Sequence, residues 1–191
     1  MSGNYFGQAG IFLIQALFGF YILAVLLRLL LQWARASFYN PISQFLVKIT
    51  NPPLVPLRRV IPGIAGIDLA SVVLLVALQL AELVLIGLLL GQGLHFTGLL
   101  VLTLAKLISL LLTVFLFSIL IQVILSWVRP GDSNPMSDLL YSLNEPLLGP
   151  ARRLLPPISG FDLSPILVLL ALQLLSILVV APLADLGRSL S

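Results

Sequence analysis

The sequence predicts an all-α membrane protein in which four transmembrane helices come from two parallel two-helix repeats. Short interfacial amphipathic helices are expected in the two cytoplasmic loops. Three observations lead to this fold class: a composition too apolar for water, four apolar windows long enough to cross a bilayer, and an internal repeat with an offset of 94 residues.

The composition of the 191-residue chain indicates that lipid surrounds most of it. Hydrophobic residues make up 60% and charged residues only 9% of the sequence, whereas a soluble domain has about 25% charged residues. With no cysteine and one histidine, His95, the chain cannot build a disulfide framework, a thiolate metal site or a histidine cluster. We therefore expect no metal and no cofactor. The net charge of +3 is interpreted as a topology signal rather than as a surface for nucleic acid.

Four apolar windows are long enough to span a membrane, since crossing the hydrocarbon layer takes about 20 residues. They cover residues 11–31, 69–90, 99–128 and 163–183. The two longer connections contain most of the basic residues: Arg35, Lys48, Arg58 and Arg59 in the first, and Arg129, Arg152 and Arg153 in the second. Because Lys and Arg favour the cytoplasmic side, these loops are predicted to be cytoplasmic, with both termini and the 91–98 connection outside. The N-terminal segment lacks the basic region of a signal peptide and is expected to be retained.

A shift of 94 residues aligns the two halves of the chain without a gap. Between Trp33 and Leu80, 21 of 48 aligned pairs are identical. Leucine matches alone would be weak support in so apolar a chain, but the identities include Trp, Asn-Pro, Arg-Arg and Gly-x-Asp-Leu. We predict two units, 1–94 and 95–191, each made of a span, a loop and a span. Two spans per unit give both units the same orientation in the membrane, so the repeats are parallel.

The repeated motif resembles that of the YggT family of small integral membrane proteins. Each unit reads Asn-Pro, a proline-rich stretch, Arg-Arg, Pro, Gly-x-Asp-Leu and a span containing Ala-Leu-Gln, and the two units cover nearly the whole chain. The family occurs in bacteria and chloroplasts and has no established biochemical activity. The resemblance implies an inner-membrane protein with suggested ties to osmotic or ion stress, cell division and membrane-complex biogenesis. The second unit departs from the first at Pro165, which stands where the first has Ser71.

Each cytoplasmic loop is predicted to begin with a short amphipathic helix. Apolar residues have the i, i+3, i+4, i+7 spacing of one helix face: Ile42, Phe45, Leu46 and Ile49 in the first loop, and Met136, Leu139, Leu140 and Leu143 in the second. Such a helix could lie in the membrane interface or pack against its own bundle, and the spacing favours neither. The prolines that follow are expected to stop the helix, although residues 54–61 could start another short one.

The arginine pairs are the first candidate contact sites. Arg58 with Arg59, and Arg152 with Arg153, are predicted to lie near anionic lipid headgroups, where each basic residue contributes about 1 kcal/mol of attraction. The alternative is a phosphate-bearing ligand or an acidic partner.

The aspartates at the starts of spans two and four are the second candidate sites. A carboxylate such as Asp68 or Asp162 accepts hydrogen bonds from free amides at a helix N-terminus and complements the helix dipole. Gly66 and Gly160 allow the tight turn before each aspartate. The alternative is that the aspartates pair with the arginines and form a proton or cation site.

Two charges fall inside the spans, where an unpaired charge is costly. Glu82 lies 14 residues beyond Asp68, which is about 21 Å into the layer. Lys106 lies seven residues beyond Leu99, about 10 Å from the opposite face. In a layer about 30 Å thick these depths coincide, so we predict an ion pair that serves as a structural pin or, alternatively, as an ion or proton relay. Arg28, near the cytoplasmic end of span one, is expected to extend toward the headgroups.

No enzyme motif appears in the chain: there is no Walker loop, dinucleotide fingerprint, nucleophile elbow or metal-ligand spacing. Nucleic-acid binding is not expected either. The sequence favours a non-enzymatic membrane scaffold or assembly factor, and the YggT resemblance implies the bacterial inner membrane as its location and a stress-related role. Its partners would be anionic lipid headgroups and another membrane protein or a second copy of the chain. The alternative is a component of an ion channel or transporter in osmotic and ion homeostasis.

Overall fold

The computed structural model describes residues 5–64, 66–91, 95–128, 134–156 and 162–190. Within them the chain forms α1 (Tyr5–Trp33), α2 (Pro41–Val60), α3 (Leu69–Leu90), α4 (Phe96–Val128), α5 (Pro135–Leu154), α6 (Ser164–Leu175), a π-helical segment (Ser176–Val180) and α7 (Ala181–Ser189). Four helical stretches are long and apolar enough to cross a membrane: α1, α3, α4 and the continuous Ser164–Ser189. The predicted all-α architecture with four membrane-spanning helices is confirmed.

The spanning helices follow the predicted windows but extend beyond some of their ends. α3 has the predicted bounds, whereas α1 begins at Tyr5 and α4 at Phe96, before the windows that start at 11 and 99. The residues added to α1 and α4 contain no proline and no charge, so nothing stops either helix at the edge of the most apolar window. α6 has Pro165 in its first turn, where proline needs no amide donor.

The fourth span contains a wide turn in front of Pro182. Proline has no amide N–H, so the carbonyl of Leu178 cannot form its usual α-helical bond. The N–H of Ala181 donates instead to the carbonyl of Ser176, five residues earlier, which is the π-helical pattern. At the equivalent position of the first repeat, Glu82 lies in regular α-helix. The second spans of the two repeats therefore differ in their C-terminal halves.

The two spans of each repeat pack against each other. In the first repeat α1 packs on α3, and in the second repeat α4 packs on α6 and α7. The loop helices α2 and α5 pack on the spans of their own repeat, and the repeats meet through α3 with α4, α2 with α5, and α1 with α4 and α5. The core includes Ile22, Val25, Leu54, Ile119 and Leu148, each at most 2% exposed. In the most apolar windows of the four spans, only 17–28% of the residues are buried inside the protein. Most of the apolar surface thus faces outward, as lipid contact requires.

The prediction that prolines end the loop helices is wrong. α2 is 20 residues long and contains Pro52, Pro53 and Pro56; α5 is also 20 residues long and contains Pro146 and Pro150. A proline within a helix leaves the carbonyl four residues earlier without its donor. For Pro53 that carbonyl belongs to Ile49, and the Tyr21 hydroxyl on α1 donates to it at 3.2 Å. Packing against a span supplies a hydrogen bond that the loop helix cannot make by itself.

The Asn-Pro pair of each repeat starts a loop helix. The Asn40 side chain accepts from the amide of Ile42 at 2.9 Å, and the Asn134 side chain accepts from the amide of Ser137 at 2.9 Å. These are N-cap hydrogen bonds, and the following proline has a φ suited to the first helical position. Asn40 Nδ2 also donates to the Pro135 carbonyl at 2.6 Å, so one cap residue links the two repeats.

The apolar stripe of each loop helix packs against the bundle. In α2, Leu46 is buried and Ile42 and Ile49 pack partly buried against the core, whereas Phe45 is 55% exposed. In α5, the buried residues of the stripe are Leu139, Leu140 and Leu143. Contact with the protein's own helices accounts for most of each stripe. The position of α2 and α5 at a cytoplasmic membrane interface stays a prediction.

Candidate functional site

The end of α2 and the start of α3 form a charge cluster in the first repeat. Arg58 Nε donates to Asp68 Oδ2 at 3.1 Å, and Arg58 Nη2 contacts the same oxygen. Ser71 Oγ donates to it at 2.5 Å. Asp68 is only 7% exposed; it precedes α3 but makes no side-chain capping bond. Gly66 has a φ of +82°, which glycine adopts without strain, and it permits the turn between α2 and α3.

The second repeat has the equivalent cluster with one more carboxylate. Arg152 Nε donates to Asp162 Oδ2 at 2.9 Å, and Arg152 Nη1 donates to Glu145 Oε2 at 2.7 Å. Burial lowers the pKa of Arg152, but the two carboxylates outweigh it and raise the pKa above its ordinary value. Asp162 Oδ1 also accepts from the amide of Ser164 at 2.9 Å, so this aspartate both caps a span and pairs with an arginine. Gly160 lies outside the described residues.

Hydrogen bonding outweighs burial at both aspartates. Burial raises the pKa of Asp68, but hydrogen bonds from Arg58 and Ser71 lower it more, and the pKa lies below the ordinary 3.8. The same balance holds for Asp162, where burial is outweighed by its serine and arginine donors and the pKa again lies below 3.8. Both carboxyl groups are therefore held in the charged form.

The second arginine of each pair is exposed. Arg58 and Arg152 form the ion pairs, whereas Arg59 and Arg153 are exposed and form none with the residues that the structure describes. Each Arg-Arg motif thus has one arginine that ties a loop helix to the next span and one that faces outward.

Within the spans, the structure brings Glu82 and Lys106 together. Lys106 Nζ lies 3.0 Å from Glu82 Oε1, and Gln79 Nε2 donates to Glu82 Oε2 at 3.0 Å. The Glu82 side chain is 7% exposed and that of Lys106 is 40% exposed. Both carboxylate oxygens have donors, which suits a structural pin. Gln79 and Lys106 also line a cavity of about 270 Å³ with Ser109 and Thr113.

Arg28 joins α1 to α2 through a contact that the sequence did not reveal. It is 7% exposed, and its Nη1 donates to Thr50 Oγ1 at 2.7 Å and to the Val47 carbonyl at 3.5 Å. The expectation that Arg28 extends out toward the headgroups is wrong, because α2 covers it and provides its acceptors.

Each copy of the duplicated unit that contains these contacts matches a known protein family. A model of the CCB3/YggT family matches the chain twice, over residues 7–89 and 101–183. The chain belongs to the CCB3/YggT family. The resemblance seen in the sequence is thereby confirmed. The two matched ranges have the same 94-residue offset as the internal repeat, so one CCB3/YggT unit contains one loop helix and one arginine–aspartate cluster.

Three relatives illustrate what is known of CCB3/YggT proteins. The chain is 51% identical to a protein of Pseudomonas aeruginosa over 92% of this chain and 90% of that one. It is 43% identical to a protein in the proC 3′ region of Vibrio alginolyticus, over 85% of this chain and 88% of that one. It is 38% identical to YggT of Escherichia coli, over 94% and 93%. All three are named as uncharacterised, and no solved structure matches the chain.

The second CCB3/YggT unit shows which signal could have revealed the Arg28 contact. The 94-residue offset pairs Arg28 with Gln122 and Thr50 with Asn144. Asn144 is fully buried at 0% exposure; it donates to Gln122 Oε1 at 2.7 Å and accepts from Ser118 Oγ at 2.6 Å. Polar residues at matching positions of both repeats, in otherwise apolar surroundings, indicate a contact between a span and its loop helix.

Proposed function

We propose that this CCB3/YggT protein is a non-enzymatic scaffold or assembly factor of the bacterial inner membrane. Its exposed arginines would contact anionic headgroups while the bundle holds another membrane protein or a second copy of the chain. The observation that supports this proposal is that the two arginines of each Arg-Arg motif have different surroundings. Arg58 and Arg152 are held by aspartates, so Arg59 and Arg153 present a charge that is not used inside the described fold.

The two exposed arginines belong to the same side of the bundle. Each lies in the last turn of a loop helix that connects the antiparallel spans of its unit, and the units are parallel in the proposed topology. The excess of Lys and Arg in these loops supports a cytoplasmic position. A reporter that is active only outside the cytoplasm, fused within 91–98, is expected to be active; cytoplasmic activity at that position would reverse the orientation.

The headgroup contact can be tested with Arg59 and Arg153 together. The protein and the Arg59→Gln/Arg153→Gln variant are reconstituted in nanodiscs of phosphatidylglycerol and phosphatidylcholine, and the lipids retained on the protein are measured by native mass spectrometry. Each arginine contributes about 1 kcal/mol of attraction, so the preference for phosphatidylglycerol should fall by roughly fivefold per arginine.

The matched control replaces both arginines by lysine and keeps the charge, so the preference should remain. An unchanged preference in the folded glutamine variant would contradict the proposed contact.

An ion channel or transporter component is the second candidate. The observation that favours it is the polar lining of the cavity near Lys106 within the spans, where Gln79, Ser109 and Thr113 lie. Ion flux into proteoliposomes separates the two functions. A specific flux that Asp68→Asn or Asp162→Asn abolishes would contradict the scaffold and support the channel.

A further inference from the structure

A cavity of about 690 Å³ lies between α1, α2 and the turn before α3 in the first repeat. This volume is within the range of about 300–1,000 Å³ typical of ligand sites. Its polar lining includes Arg28, Ser43, Arg58 and Asp68. The larger apolar side chains of the lining are those of Leu31, Phe38, Leu46, Val47, Ile61 and Ile67. The cavity therefore combines a basic region with an apolar wall.

Arg28 has donors left over for a ligand. A guanidinium carries five N–H donors, and within the described residues only Nη1 of Arg28 is engaged, by Thr50 and Val47. No carboxylate of the described residues forms a salt bridge with it, although the residue is 7% exposed. A buried charge without a counterion is unfavourable, so an anion beside Arg28 would stabilise the fold.

Ser43 supplies a second unused group on the same wall. It is 8% exposed, and its Oγ is buried without a hydrogen-bond partner among the described residues. An unsatisfied buried hydroxyl is destabilising, and a ligand oxygen that accepts its hydrogen bond would offset this loss. Arg58 completes the basic side of the cavity: its Nε and Nη2 bond Asp68, and its Nη1 remains available.

The charge balance distinguishes this cavity from the equivalent place in the second repeat. Arg28 and Arg58 face the single carboxylate of Asp68, which leaves one positive charge in excess. In the second repeat Gln122 replaces Arg28, and Arg152 is bonded by two carboxylates. Among the residues that the structure describes, the positive excess that would attract an anion lies in the first repeat.

We propose that this cavity binds a phosphate group, with the guanidinium groups of Arg28 and Arg58 and the hydroxyl of Ser43 as donors. Guanidinium groups match the oxygens of phosphate in geometry and charge. The apolar wall fits the glycerol and upper acyl region of a phospholipid, and free phosphate has the same recognition chemistry. The site is separate from the contact proposed for Arg59 and Arg153, so neither proposal depends on the other.

The test titrates the delipidated full-length protein in neutral detergent with short-chain phosphatidylglycerol, inorganic phosphate, and diacylglycerol as a ligand without phosphate. Native mass spectrometry counts the bound molecules, and the fluorescence of Trp33 and Trp127 follows thermal unfolding. We expect one phosphate-bearing ligand per chain and a raised unfolding temperature. Arg28→Gln, which introduces the residue found at this position of the second repeat, should weaken binding at least tenfold. Ser43→Ala should weaken it several-fold, and the repeat-equivalent Ser137→Ala should not.

The outcomes separate the two sources of phosphate and the failure of the proposal. Saturable binding of phosphatidylglycerol alone identifies a lipid site, and saturable binding of inorganic phosphate identifies a soluble ligand; both support the proposal. Equal binding of diacylglycerol, or unchanged affinity in folded Arg28→Gln, overturns it. If Arg28→Gln does not fold, unchanged affinity in Ser43→Ala overturns it. The Arg59→Gln/Arg153→Gln variant should retain this binding, so the headgroup contact can fail independently.

Discussion

In the first repeat, Arg28 is buried and lines a cavity together with Arg58 and Asp68. In the second repeat, Gln122 replaces Arg28, and Arg152 forms ion pairs with two carboxylates. The residues that the repeats share build the same framework. Asn-Pro starts the loop helix, and the first arginine of the pair bonds the aspartate before the next span. The residues that differ change the charge of that framework. The duplication thus preserved a fold while leaving one copy with an unbalanced positive charge.

The largest expected effect is at the Glu82–Lys106 pair, which joins the two repeats and is not reproduced at the positions related to it by the 94-residue offset. The equivalent residues are Ser176 and Phe12. Lys106→Met leaves the buried Glu82 carboxylate with only its amide donor and should cost about 3 kcal/mol in the free energy of unfolding. Glu82→Gln should cost less, because Lys106 is 40% exposed and can turn toward water or headgroups.

The double variant Glu82→Gln/Lys106→Met decides whether the two charges act as a pair. It should be more stable than Lys106→Met alone, as measured by unfolding in mixed micelles. Lys48→Met, a matched loss of an exposed lysine, should change stability by less than about 0.5 kcal/mol. A double variant that is no more stable than Lys106→Met would contradict the pairing.

A smaller effect separates the two aspartates. Asp68 is 7% exposed and Asp162 is 34% exposed at the side chain. Asp68→Asn removes the counterion of Arg58 and should cost about 2 kcal/mol. Asp162→Asn leaves Arg152 bonded to Glu145 and should cost less than about 1 kcal/mol. Equal losses in micelle unfolding would show that the extra carboxylate does not support the second cluster.

The pH dependence of stability sharpens the same comparison. The pKa of Asp68 in the folded state lies below the ordinary 3.8, so its stabilisation is fully present above the unfolded-state pKa. It is lost as the pH falls below about 4 and through the folded-state pKa. Asp68→Asn should flatten the acid limb of the stability curve, and the difference from the unsubstituted protein isolates this carboxyl group.

The spans and the repeat could be predicted because they depend on properties local to the chain. Apolar length alone defines a candidate span, and α3 has the predicted bounds. Counting helical rise placed Glu82 and Lys106 at one depth, and the structure places their charged atoms 3.0 Å apart. The rise per residue is nearly the same in all regular α-helices, so the relative depth of two residues in such spans follows from their sequence positions.

The burial of Arg28 could not be predicted in the same way. An arginine near the end of a span can extend to the interface or remain under a neighbouring helix, and the choice depends on whether an acceptor is nearby. Here Thr50 of α2 supplies that acceptor at 2.7 Å. The sequence placed Thr50 on a predicted helix but did not show which of its faces would meet α1. The burial of Arg28 and its hydrogen-bond partners could therefore be identified only from the way the helices pack.

The continuity of α2 through Pro53 involves a hydrogen bond from Tyr21 of α1. This bond is where we expect the smallest difference in stability between the repeats. In the first repeat Pro53 leaves the Ile49 carbonyl without an amide donor, and the Tyr21 hydroxyl replaces it. At the offset of 94 residues, Pro53 corresponds to Leu147 and Tyr21 to Phe115. Where the loop helix has its own amide, the span has no hydroxyl.

Tyr21→Phe alone should cost about 1 kcal/mol, because one carbonyl loses its donor. Pro53→Leu restores the amide, so Tyr21→Phe should cost much less in that background, which reproduces the combination of the second repeat. Unfolding of the four proteins in mixed micelles gives the coupling energy between the two sites. A coupling energy near zero would mean that the tyrosine hydroxyl does not compensate for the proline, and that α2 continues through Pro53 because of side-chain packing alone.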